Sequence, residues 1–72
     1  MDREKIIERI LEKMDIKPFD DPKKTRLQNL LSTIDNMFIG FDLEKHNEIF
    51  DTDERELLNH LYKAWLYSMS HP

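Results

Sequence analysis

The chain has 72 residues, a mass of 8.8 kDa, a formal net charge of −4 and a pI near 5.2. That length accommodates one domain and not two, spanning residues 1–72, and the acidic balance makes a phosphate backbone an unfavourable partner at long range. The absence of cysteine excludes disulfides, leaving tight packing, oligomerisation or a partner to support so small a core.

A hydrophobic fraction of 39% with one Trp, two Tyr and four Phe is too high for a charge-dominated disordered chain. Seven Ile, nine Leu, no Val and a single Gly suit helices better than strands joined by tight turns. The expected fold is all-α: a small three-helix bundle with an additional short helix, about 43–50, before the last long one. The N-terminus, Met-Asp-Arg-Glu-Lys, has the character of neither a leader peptide nor a spanning segment, and a complete small cytoplasmic protein is expected.

Ile6, Ile7, Ile10, Leu11 and Met14 recur at helical spacing, with Glu4, Lys5, Glu8, Arg9, Glu12 and Lys13 between them. Asp2 is a fair N-cap, and Pro18 limits this first helix to about Asp15 or Ile16. In Asp20-Asp21-Pro22 a capping carboxylate precedes proline, the signal for a second helix starting there. Leu27, Leu30, Leu31, Ile34, Met37 and Phe38 form its apolar stripe. Gly40 is placed to close it with a left-handed cap.

Phe41 to Thr52 reads two ways. Asp42 caps a short helix over Leu43 to Phe50, the preferred reading; the alternative is a hairpin of Met37 to Leu43 against Glu48 to Asp51, marginal without more sheet. The last helix is expected to start at Thr52 or Asp53, with Asp53 and Glu56 at capping-box spacing, and to reach about Met69.

No constellation of catalytic or metal-ligating residues outweighs its ordinary explanation. His46, His60 and His71 are 14 and 11 residues apart, so no pair shares a helical face as zinc ligands do. Asp20-Asp21 and Asp51-Thr52-Asp53-Glu54 are accounted for by helix capping and lack the glycine and oxygen spacing of a calcium loop. Ser32, Thr33, Ser68 and Ser70 have no histidine nearby in sequence to act as base. Hence no cofactor and no enzymatic activity are expected. Lys17, Lys23, Lys24 and Arg26 are the one basic cluster, interrupted by Asp20 and Asp21 and without interleaved aromatics.

The last helix is the informative element. After Glu56 its one charged residue is Lys63, while Leu57, Leu58, Leu61, Tyr62, Ala64, Trp65, Leu66 and Met69 span roughly 200° of its circumference at ~100° per residue. One helix ordinarily shows its own core a stripe upward of ~100°. Burial by both neighbours is one explanation. The preferred one is that Tyr62, Trp65, Leu66, Tyr67 and Met69 contact another chain, because aromatics are enriched and charges depleted in interface cores. The second helix offers Gln28, Asn29, Ser32, Thr33 and Asn36 as an uncharged polar face and a secondary contact surface.

The function expected is a non-enzymatic protein-binding module: a small acidic helical regulator, inhibitor or adaptor whose partner is another protein or itself, as a homodimer, with no membrane. The alternatives are a helical DNA-binding or transcription-associated protein using Lys17, Lys23, Lys24 and Arg26, and a small oligomeric enzyme.

Overall fold

A computed structural model describes residues 2–71. Four helices follow in order: α1 Arg3–Lys13, α2 Arg26–Phe38, a short α3 Leu43–His46 continued by a 3₁₀ turn at Asn47–Ile49, and α4 Thr52–Ser70. Among the described residues there is no strand, so the helical reading of residues 43–50 holds and the hairpin does not. The three long helices surround a core of Ile6, Ile7, Ile10, Leu11, Leu30, Ile34, Phe38, Phe50 and Leu58.

Each helix boundary is fixed by hydrogen bonds that the sequence supplies locally. Asp2 caps α1, accepting from the Glu4 amide at 3.0 Å. At its other end the Ile16 amide donates to the Leu11 carbonyl and the Asp15 amide to the Glu12 carbonyl. That pair of bonds is a Schellman closure, and it forces Asp15 into the left-handed region at φ 56°. α1 therefore stops at Lys13, short of the expected Asp15, and the loop rather than Pro18 ends it.

The expected start of α2 at Asp20-Asp21-Pro22 is corrected. The Lys24 amide donates to the Asp21 carbonyl and the Lys23 amide to the Asp21 side chain, so Asp21-Pro22 begins a turn. The helix starts four residues later, where Thr25 and Gln28 form a reciprocal capping box. Asp-Pro suits either a turn or a helix start, but the box satisfies two orphan backbone amides at once and decides the matter. Gly40 ends α2 with φ 77°. A Cβ there would meet no atom within 4 Å, so backbone handedness alone selects glycine.

The cap of α4 is also corrected, from Thr52 or Asp53 to Asp51. Its carboxylate accepts from the Glu54 amide at 2.9 Å while Glu54 accepts from the Asp51 amide at 3.0 Å. Tertiary position decided between neighbouring candidates. Glu54 falls on the core side of α4, preceding Leu58, Leu61 and Trp65 by four, seven and eleven residues, and its side chain is wholly buried.

α4 is longer than its neighbours can cover. Its 19 residues extend ~28 Å, against ~20 Å for the 13 of α2 and ~16 Å for the 11 of α1. Its contacts with α2 reach Tyr62 and Trp65, both against Phe38, and the residues from Leu66 to Ser70 are exposed.

Candidate interaction surface at the end of α4

α4 has α1 on one flank and α2 on the other: Leu57 shares an open groove with Ile6 and Arg3 of α1, while the Tyr62 ring meets the edge of Phe38 from α2 at 5.2 Å between centroids. Both are half-buried. Trp65 reaches the same Phe38 ring at 5.7 Å and stacks on Tyr62 at 5.9 Å. The middle of the apolar arc is thus covered by both neighbours, while its two edges, Ala64 and Leu66, are exposed.

What stays open lies at the edges of the arc and at its far end along the axis. Met69 follows Leu58 by eleven residues and Trp65 by four, which puts it ~20° and ~40° from them around the helix. Yet Leu58 is fully buried and Met69 is 64% exposed. Leu66, one turn after Tyr62, is 43% exposed. Ile39 is 69% exposed and directly follows Phe38, which brings it to the same end of the molecule. The sequence carried no signal for Ile39, because it is the packing of Phe38 on Tyr62 and Trp65 that joins the end of α2 to α4.

Of the five residues proposed for the primary contact, Tyr62, Trp65, Leu66 and Met69 share one side of α4. Tyr67 does not. It points to the opposite side, where its ring stacks on His71 at 4.1 Å. Lys63 is ~120° around the helix from Met69 but only ~60° from Leu66, one turn before it, and Asp42 and Glu44 line a groove with Tyr62, so charged side chains border this face.

The secondary surface is corrected. Asn29 and Thr33 are buried, and they anchor the α1–α2 loop. Asn29 accepts from the Asp21 amide and donates to the Asp21 carbonyl, both at 3.1 Å. Thr33 accepts from the Phe19 amide at 2.9 Å and donates to the Asn29 carbonyl at 2.7 Å. Buried backbone polar groups need partners, and short uncharged side chains supply them. Gln28 is engaged in the capping box, Ser32 is half-buried and Asn36 exposed, so no continuous polar face results.

Glu54 is the buried charge that sequence reasoning missed. It accepts from Lys13 Nζ at 2.5 Å and from Arg9 Nε at 3.2 Å, with Asp51 4.0 Å from the Arg9 guanidinium. Burial pushes its pKa up, the largest single influence. The hydrogen bonds from Lys13, the Asp51 amide and Arg9, with the charge of Lys13, outweigh it and hold the carboxyl below the ordinary glutamate value. Its helical phase with Leu58, Leu61 and Trp65 was the signal available. This network joins α1 to α4 and accounts for the Asp51–Glu54 acidic run.

Other features are ordinary surface. Among the described residues no three His, Asp or Glu side chains gather as a metal site. His46 stacks on Phe41 and His60 borders an open groove of about 320 Å³ with Arg3, Asp53 and Glu56. Ser32 lines another with Lys24, Gln28, Leu31 and Asp35, and no histidine; Ser68 and Ser70 are exposed. In the basic cluster Arg26 is paired with Glu8 at 2.7 Å, while Lys17, Lys23 and Lys24 are exposed. No helix among the described residues is long and apolar enough to cross a membrane.

Compared with known proteins, the chain matches no family model, no curated protein and no solved structure.

Proposed function

We propose that this chain is a non-enzymatic protein-binding module, a small acidic helical regulator, inhibitor or adaptor that acts by presenting the C-terminal half of α4 to another protein chain in the cytoplasm. One observation carries the reading: Met69, on the same side of α4 as fully buried Leu58, is 64% exposed beside exposed Leu66. An apolar stripe that outruns its own core yields no folding free energy over the exposed part, and contiguous exposed apolar surface tends to mark interfaces. Its composition, aromatic and methionine-containing at the centre with Lys63, Asp42 and Glu44 at its border, is that of an interface core with a polar rim.

The DNA-binding alternative has less support, since Arg26 is already paired with Glu8 and Asp20 and Asp21 sit within the cluster. The test is affinity purification from the native cell with the parent chain and with Leu66→Glu and Met69→Glu as baits. A partner retained by the parent and lost by both variants supports the reading. Identical partners for all three baits, each verified as folded by circular dichroism, refute it.

A further inference from the structure

We infer that the open groove between the start of α3 and the middle of α4 receives an arginine side chain of the partner protein. This rests on the reading just given and names the chemistry of the partner, because Tyr62 belongs both to the groove and to the apolar side of α4. The groove, about 480 Å³, is lined by Phe41, Asp42, Glu44, Asn59 and Tyr62. Aromatic rings, carboxylates and a neutral amide meet there.

The first support is charge. Among the described residues the ion pairs join Arg9 and Lys13 to Asp51 and Glu54, and Arg26 to Glu8. Asp42 and Glu44 are in none of them. The Asp42 carboxylate caps α3, accepting from the Glu44 amide at 3.1 Å, and a neutral donor leaves its charge uncompensated. The neighbouring cations Lys45 and Lys63 do not line the groove, and the net charge of −4 adds a field of the same sign at longer range.

The second support is the aromatic pair. Phe41 and Tyr62 each pack on buried Phe38, at 6.1 and 5.2 Å between centroids, and His46 stacks on Phe41 at 4.9 Å. Both rings are therefore held before a ligand arrives. Aromatic faces attract cations, and a guanidinium suits this lining better than an ammonium because it is planar, weakly hydrated, stacks on rings and donates paired hydrogen bonds to a carboxylate. The Asn59 amide oxygen is a further acceptor on the α4 side.

The third support is continuity. Leu66, 43% exposed, follows Tyr62 by one turn, a step of ~6 Å along the helix. An arginine beside the partner's apolar residues spans that distance.

Amide correlation NMR of the full chain, titrated with Nα-acetyl-arginine amide at constant ionic strength, tests the groove. The citrulline analogue, uncharged and nearly isosteric, is the control. Saturable shifts of the Asp42, Glu44, Asn59 and Tyr62 amides are expected with arginine and none with citrulline. Asp42→Asn combined with Glu44→Gln keeps a competent cap, since asparagine caps as well as aspartate, and is expected to weaken binding ~10-fold by removing two exposed charge contacts. Phe41→Leu is expected to weaken it ~3-fold. No saturable arginine shift up to ~100 mM, equal shifts with citrulline, or unchanged affinity in the double variant overturns the inference. None of these results touches the Leu66→Glu and Met69→Glu captures that decide the binding-module reading. As a bait, the folded double variant is expected to lose the partner that the parent holds. Its retention of a partner that Leu66→Glu loses refutes the role of the groove alone; identical capture by every bait refutes both.

Discussion

Lys13 Nζ and the Glu54 carboxylate, 41 residues apart in the chain, meet at 2.5 Å across the α1–α4 interface, with Glu54 wholly buried and Lys13 partly exposed. The asymmetry determines what each substitution does. Lys13→Met leaves a buried carboxylate with its Arg9 and Asp51 partners only and is expected to destabilise by about 2 kcal/mol, less than a fully buried pair because water can reach the vacated side. Glu54→Ala loses the reciprocal cap as well as the ion pair and is expected to cost about 3 kcal/mol. Urea unfolding followed by circular dichroism measures both. A loss under ~0.5 kcal/mol for either would show that the network does not join the helices.

The same carboxylate gives the fold a pH dependence. Because the folded pKa of Glu54 lies below its unfolded value, its stabilisation is complete above the ordinary glutamate range and is lost as pH falls through that range toward the folded value. Asp35 has the opposite sign: desolvation raises its pKa, so it favours the fold when protonated and opposes it once pH rises through the folded value. The expected result is that Glu54→Gln flattens the loss of urea midpoint between about pH 5 and pH 3, whereas Asp35→Asn slightly raises the midpoint at about pH 7.

Asp15 closes α1 at φ 56°, a conformation costing an ordinary L-residue roughly 1 kcal/mol that glycine adopts freely. Asp15→Gly is therefore expected to stabilise the protein by about 0.5 to 1 kcal/mol, while Asp15→Val is expected to destabilise it. Thermal melts of the two variants read opposite shifts. A stabilising valine would show that the Schellman closure does not form.

Asn29 holds both backbone polar groups of Asp21, and Thr33 holds the Phe19 amide. Asn29→Leu, which keeps volume and removes the amide, is expected to cost about 2 kcal/mol, chiefly through the unpaired Asp21 amide, since the Asp21 carbonyl keeps the Lys24 amide. Thr33→Val is expected to cost about 1 kcal/mol and to expose the Phe19 amide to faster hydrogen exchange. Unchanged exchange at Phe19 would mean that the loop is held by other contacts.

Leu58 and Met69 lie on one side of one helix with opposite burial. Leu58→Ala is expected to cost about 2 to 5 kcal/mol. Met69→Ala is expected to change monomer stability by less than ~0.5 kcal/mol. Chemical denaturation at low micromolar concentration distinguishes them, and equal losses would mean that the core extends to the end of α4.

Much of the architecture was legible in the residues alone. The 3.6-residue spacing of Ile6, Ile7, Ile10 and Leu11, and of Leu30, Ile34 and Phe38, identified two helices and their buried sides, and Gly40 marked a left-handed stop. These are local properties: periodicity, one-residue backbone preference and absent cysteine act over a few residues and need no knowledge of neighbours. The sequence reading chose Asp21 for α2 and Thr52 or Asp53 for α4, where Thr25 and Asp51 are the caps, because all of these residue types offer comparable local hydrogen bonds. Tertiary contact broke those ties, by Asn29 gripping the Asp21 backbone and by Glu54 seating between Arg9 and Lys13. It also decided the meaning of Asn29 and Thr33 on α2, which anchor a loop, and of the apolar arc on α4, whose middle is buried between two helices while Ala64 and Leu66 at its edges and Met69 at its end are exposed. Periodicity reports angle around a helix. Where a neighbouring helix ends and how much of the arc it covers are facts of three-dimensional packing, and the exposure of Met69, in phase with buried Leu58, follows from that.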